Sequence, residues 1–101
     1  MGVVLINAFE LPGNANDQDF LAGWDRAVEY LQNQPGFVNT RLHRAVTPDA
    51  RFRFVNVAEW NSPQDFAAAV TSEQFQEIAS RGPAGTRALY EVVRSVQSKE
   101  D

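Results

Sequence analysis

The sequence predicts an α+β fold of the ferredoxin-like, split βαβ type, an antiparallel sheet with both helical regions on one face. Three observations predict it. The hydrophobic patterns run strand, helix, strand, strand, helix, strand, with no repeat, linker or low-complexity segment between them. The chain has 101 residues, room for one domain. Its first strand is apolar on both faces, Val4, Ile6 and Ala8 against Val3, Leu5 and Phe9, so neither face of the sheet is expected to be wet.

The elements follow in order. Val3 to Glu10 is apolar and β-branched and runs into Pro12-Gly13-Asn14, which marks a strand and a turn. Asn16 or Asp17 is placed to cap a helix of about four turns, in which Phe20, Leu21, Trp24, Ala27, Val28 and Leu31 recur at helical spacing until Gln34-Pro35-Gly36 stops it. Phe37 to Ala45 and Arg51 to Trp60 read as a hairpin around Thr47-Pro48-Asp49-Ala50. Ser62-Pro63-Gln64-Asp65 is a helix start: a capping serine, proline at the first helical position and an acid three residues past the cap. Thr71-Ser72-Glu73-Gln74 resembles a second cap, so this helical region is expected in two pieces. Arg81 to Gly85 breaks it, and Ala88 to Val96 is the last expected strand. The domain is expected over residues 1–97, with a polar tail over 98–101.

Composition narrows the function classes. With 44% hydrophobic and 22% charged residues the chain is ordinarily globular, and a net charge of −4 without a basic stripe argues against nucleic acid or anionic membrane as partners. The absence of cysteine removes disulfides, thiolate nucleophiles and thiolate metal sites. One histidine cannot build a zinc site. The N-terminal apolar run is too short to span a bilayer and lacks a basic flank, so a cytoplasmic location is expected. Glycine-rich phosphate loops, dinucleotide fingerprints and nucleophile elbows are missing. A domain this small buries only roughly 60–70% of its unfolded surface, and pairing of two sheets in a homodimer would cover the second face.

Two asparagines stand out. In FVNVAEW, alternation places Asn56 on one face with Phe54, Ala58 and Trp60; on strand one it places Asn7 with Val3, Leu5 and Phe9. A buried carboxamide without partners costs about 1–3 kcal/mol. Either each amide bonds backbone or the other amide and sets register, or the two converge with Trp60 on a pocket between sheet and helices. Trp24 reads as helix packing, Trp60 as packing or a cavity rim. His43, the only histidine, is of the type suited to proton transfer near neutrality, although a strand histidine is more often a surface residue. Arg44, Arg53, Arg81 and Arg87 are candidates to neutralise an anionic substrate.

With strand one reading VVLINAFEL, the end of helix one leading into QPGFVNTRLHR, and strand three reading FRFVNVAEWNSPQDF, the chain resembles the antibiotic biosynthesis monooxygenase (ABM) superfamily over nearly its whole length. The resemblance implies a dimeric α+β barrel, two ferredoxin-like halves joined through their sheets. Within that superfamily the chain is similar to the cofactor-independent anthrone monooxygenases of aromatic polyketide biosynthesis, whose strand-one Asn, strand-three Asn and following Trp match Asn7, Asn56 and Trp60. This likeness implies oxidation of an electron-rich polycyclic phenol or anthrone by O2 to a quinone with no cofactor. Asn7, Asn56 and Trp60 would be catalytic, and Phe9, Trp24, His43 and Phe54 are expected around the small aromatic substrate. The haem-degrading branch shares the strand-one Asn but needs a helical histidine where this chain reads QFQEIASRG, which disfavours haem cleavage. The alternative is a non-catalytic dimeric barrel that binds a small hydrophobic molecule.

Overall fold

The computed structural model describes residues 2–99. Its elements are β1 (Val3–Phe9), α1 (Asp17–Leu31), β2 (Phe37–Arg44), β3 (Phe54–Trp60), α2 (Pro63–Val70), α3 (Glu73–Ala79) and β4 (Thr86–Tyr90). The strands form one sheet in the order β2-β3-β1-β4, antiparallel throughout, which is the expected ferredoxin-like arrangement. Met1 and the end of the expected tail, residues 100 and 101, lie outside the described residues. No helix among the described residues is long and apolar enough to cross a membrane.

Each helix starts where a side chain can satisfy an otherwise unpaired backbone N–H. Asn16 Oδ1 accepts from the Gln18 N–H at 2.7 Å, Ser62 Oγ from Asp65 at 3.0 Å and Ser72 Oγ from Phe75 at 3.1 Å. Caps of this kind contribute about 1 kcal/mol each. The stop after α1 is tied to the start of α2: Gly36 has φ +85°, and a Cβ there would overlap the Asp65 side chain, so the left-handed turn and the cap of α2 fit only with glycine between them.

The core lies between the helices and one sheet face. Val3, Leu5, Ala58 and Trp60 of the sheet are buried with Phe66, Ala69 and Val70 of α2. Phe20 of α1 stacks on Phe54 with ring centroids 4.4 Å apart and an interplanar angle of 7°. The other sheet face has no cover within one chain. Ile6 at its centre is 36% exposed and Tyr90 51%.

The last strand departs from expectation. Residues 91–99 are not in the sheet, and β4 instead starts two residues earlier, at Thr86. The register explains this: β4 pairs only with β1, and Tyr90 is already opposite Val4, so beyond it the partner strand runs out. Val92, Val93 and Val96 are left largely exposed. Strand three likewise begins at Phe54 rather than Arg51.

Candidate active site

The β1–β3 register sets Asn7 directly opposite Asn56 and Phe9 opposite Phe54, all on the helix-facing side. Above them, α1 contributes Phe20 and Trp24. Phe20 lies flat on Phe54 and meets Phe9 edge-on, with centroids 5.0 Å apart. Beside this aromatic floor, between α1, α3 and the segment leading into β4, is a partly open cavity of about 900 Å³. Asn7, Phe9, Phe20, Trp24, Phe75 and Ile78 are among the residues that line it.

The two carboxamides occupy different positions. Asn56 does not line the cavity. Its Oδ1 accepts from Trp24 Nε1 at 3.3 Å and from Thr40 Oγ1 at 2.6 Å, so both lone pairs of the carbonyl are engaged. Asn56 stands behind the Trp24 indole and fixes that ring. Asn7, in contrast, is on the cavity wall, and its Oδ1 is sealed without a partner. The segment before β4 does the sealing: a Cβ on Gly85 would overlap Asn7 Oδ1 and lie 2.8 Å from Phe9 Cε1. With that carbonyl enclosed, the N–H donors are what the Asn7 amide has left to offer a ligand.

The other candidates fall in three places. Phe9 and Trp24 line the cavity, and Phe54 supports the floor from beneath, only 1% exposed. Trp60 does not reach it. It is 1% exposed among Phe37 and Phe66, at the far end of β3 opposite Val3, with its Nε1 buried and unpartnered. The reason is register: Trp60 shares a face with Asn56 but is four residues along the strand, about 13 Å away at strand rise. His43 is on the opposite face, exposed, with Nδ1 3.2 Å from the Val55 carbonyl oxygen, and is not on the cavity wall. The indole that bonds Asn56 is Trp24, for which the helical periodicity indicates only packing. Asp19, Arg26, Arg81 and Arg87 also line the cavity; no sequence motif marks Asp19 or Arg26.

The electrostatics at the α1 end are settled by one ion pair. Arg53 donates to Asp17 through Nε at 3.2 Å and Nη2 at 2.6 Å. These hydrogen bonds hold the Asp17 carboxyl below its usual range; partial desolvation opposes the shift, and the charges of Arg53 and Arg44 add to it. The pair ties the end of the β2–β3 hairpin to the first turn of α1, the helix that carries Phe20 and Trp24.

The ABM family model, antibiotic biosynthesis monooxygenase, matches residues 2–81. The chain belongs to the antibiotic biosynthesis monooxygenase family. A candidate monooxygenase from Shewanella loihica PV-4 is 31% identical to this family member, covering 93% of this chain and 96% of its own, with a TM-score of 0.80. SnoaB, a cofactor-independent oxygenase from Streptomyces nogalater, has the same fold at 22% identity, covering 96% and 98%, with a TM-score of 0.81. A haem-degrading protein from Mycobacterium tuberculosis is 27% identical over 96% of this chain and 100% of its own, with a TM-score of 0.70. No curated protein sequence matches the chain.

The last likeness poses the question of haem. An iron-bound porphyrin needs an axial donor, commonly imidazole, thiolate or thioether. Helix α3 presents Phe75, Ile78 and Ala79 to the cavity, and among the described residues no histidine, cysteine or methionine lines it. Among the described residues no cluster of His, Cys, Asp and Glu is placed to hold a metal ion. The donor set does not fit haem.

Proposed function

We propose that this ABM-family protein is a cofactor-independent monooxygenase that oxidises an electron-rich polycyclic phenol of the anthrone type with O2 to the quinone. The observation that carries the reading is Asn7, a strand-borne carboxamide on the wall of an aromatic cavity of about 900 Å³, with its carbonyl sealed so that its N–H donors are what it can offer a ligand.

The substrate supplies the electrons. Loss of a proton from the activated ring CH2 gives an enolate; one electron passes from it to O2, and recombination of the two radicals forms a peroxide at that carbon. Protonation and loss of water then leave the second carbonyl, so one oxygen atom enters the product and the other leaves as water. Anthrone plus O2 becomes anthraquinone plus H2O. The N–H of Asn7 stabilises the oxygen on which charge develops, which is worth most in a site that excludes water. Asp19, the only carboxylate on the wall among the described residues, or water takes the proton. Trp24, held by Asn56 and Thr40, is the flat surface against which the rings stack.

The test is metal-stripped protein with dithranol, following O2 uptake and quinone absorbance. Acceleration over the spontaneous rate, reduced in Asn7→Ala, is the expected result; an unaccelerated rate overturns the reading. Saturable binding without turnover would favour the alternative of a non-catalytic ligand-binding barrel, for which the exposure of Asp19 and the lack of any other wall base speak. In either case the working unit is a homodimer joined through the uncovered sheet face, where Ile6 and Tyr90 are exposed.

A further inference from the structure

Residues of two loops line the cavity, one at 11–16 ahead of α1 and one at 81–85 ahead of β4. The first is pinned from within: the Ala15 N–H donates to the Pro12 carbonyl at 2.9 Å, and Asn16 caps α1. The second is anchored only at its ends. The Gly82 N–H donates to the Ala79 carbonyl at 3.2 Å, and Thr86 is already in the ladder opposite Ala8. Between them Pro83 has no N–H to give, and among the described residues no backbone hydrogen bond outside the ladder holds Ala84 or Gly85.

One contact keeps this strap down. The Gly85 backbone is seated on Asn7 and Phe9, so close that a Cβ would overlap Asn7 Oδ1. The seat also seals that oxygen from solvent and gives it no donor in return, so the carbonyl loses its hydration with nothing in exchange. Lifting the strap restores water to it. Seating is therefore favoured by the packing of one glycine, a small term, and opposed by the desolvation of one carbonyl. Such a balance makes a segment that opens locally without unfolding the sheet. Glycine at either end can absorb the backbone rotation, and Gly82 has nothing within 4 Å of its Cβ position.

We propose that residues 82–85 are a gate over the cavity, lifted part of the time in the empty protein and closed once an apolar ligand fills it. The ligand sets the direction. It displaces the water that would hydrate Asn7 Oδ1 and gives the strap an apolar surface to close on, so the open state loses its advantage. The closed strap then keeps water from the ligand. This gate rests on the cavity being the ligand site argued above and concerns entry, not turnover.

Relaxation dispersion on the isotope-labelled, ligand-free protein reads the gate directly, because lid motions fall in the microsecond-to-millisecond range. Exchange is expected at the amides of Ala84 and Gly85 and in the Asn7 side chain, and not at Ala15 in the pinned loop. Asn7→Leu keeps an apolar side chain of similar size under the strap and removes the carbonyl, so the open population falls roughly tenfold. Gly85→Ala unseats the strap, and the Asn7 side-chain resonance moves to the position of the minor state. The two variants push one equilibrium in opposite directions, so if either loses its fold, seen as a collapsed amide spectrum, the other decides. Saturation with 1,8-dihydroxyanthraquinone suppresses the exchange, and the rate at which it quenches tryptophan fluorescence levels off at the opening rate, since Trp24 is on the wall. Flat dispersion at Ala84 and Gly85, equal exchange in the pinned loop, or an open population unchanged in Asn7→Leu overturns the gate. So does a quinone that fails to bind saturably or that binds faster than the strap opens. None of these readouts uses turnover: a protein that oxidises dithranol without strap exchange loses the gate and keeps the oxygenase reading, and one that gates without oxidising dithranol does the reverse.

Discussion

The indole N–H of Trp24 donates to Asn56 Oδ1 at 3.3 Å, and Thr40 Oγ1 donates to the same oxygen at 2.6 Å. A strand carboxamide thereby sets the angle of a helical ring that walls the cavity. Thr40→Val removes one donor and Trp24→Phe the other, each costing about 0.5–1.5 kcal/mol of stability. Both are expected to raise KM for dithranol more than they lower kcat, because they disturb ring stacking and leave Asn7 in place. Asn7→Ala should do the reverse. Steady-state kinetics with the three variants separates the two roles.

Gly85 is the residue whose missing side chain lets the chain close over Asn7 Oδ1. Gly85→Ala would force either the segment or the carboxamide to move, at about 1–3 kcal/mol for overpacking. Gly82 in the same segment has nothing within 4 Å of its Cβ position, so Gly82→Ala should change stability by no more than about 0.5 kcal/mol. Thermal melts compare them, and equal melting temperatures would count against the close approach.

Trp60 offers a sharper comparison, since motif likeness marks it as catalytic and the structure buries it in the core with an unpartnered N–H. Trp60→Phe removes that N–H along with part of the ring, so dithranol turnover should stay within about twofold per folded molecule. Trp60→Ala leaves a void and costs about 3–5 kcal/mol. A large loss of kcat in Trp60→Phe with an unchanged melt would return Trp60 to the reaction.

This contrast shows what was legible in the sequence. Strand alternation put Asn7 and Asn56 on one face, and the cap at Ser62 was legible outright while those at Asn16 and Ser72 were legible to within one residue, because capping chemistry is local. Position along a strand was not legible. Trp60 and Asn56 share a face, but which of them stands beside the cavity depends on where α1 crosses the sheet, a tertiary fact. Trp24 and Phe20 look alike in a helical pattern and both line the cavity; what the pattern could not show is that Trp24 bonds Asn56 while Phe20 stacks on Phe54. Strict alternation along β2 would put His43 on the face of Phe37, but a bulge between Phe37 and Asn39 leaves Phe37 against Trp60 in the core and turns His43 to the other face. The end of β4 was missed because Val92, Val93 and Val96 have strand character with no partner strand in the same chain.

The Asp17–Arg53 pair gives a pH dependence of known sign. The folded-state pKa of Asp17 is lowered by the hydrogen bonds from Arg53, so the ionised carboxylate stabilises the fold above the unfolded value, about 3.9. That contribution fades as pH falls from there through the folded pKa. Asp17→Asn should therefore melt below the parent at pH 7, and the two should converge in acid below the folded pKa. The gap at pH 7 should also narrow in high salt. A gap that widens toward acid would contradict the assignment.

The uncovered sheet face leads to the last prediction. Alternation brings Val4, Ile6 and Ala8 of β1 beside Val55 and Val57 of β3 and Ala88 and Tyr90 of β4, a contiguous apolar surface with Ile6 36% exposed at its centre. Past Tyr90, Val92, Val93 and Val96 are 69%, 68% and 92% exposed on a segment that has left the sheet. Buried against a second copy, such a surface contributes about 25 cal/mol per Å² of apolar area, and a stable interface of this kind buries on the order of 1,600 Å². Sedimentation equilibrium should return twice the chain mass. Ile6→Glu puts a charge at the centre of that face, where it is tolerated by a monomer and not by a dimer, so it should sediment as a single chain with unchanged far-ultraviolet circular dichroism. Removing residues 91–99 takes away the exposed valines and should weaken the dimer without abolishing the sheet, because β4 is complete at Tyr90. A parent protein that sediments as a monomer at micromolar concentration would show that this face is covered by something other than a second copy.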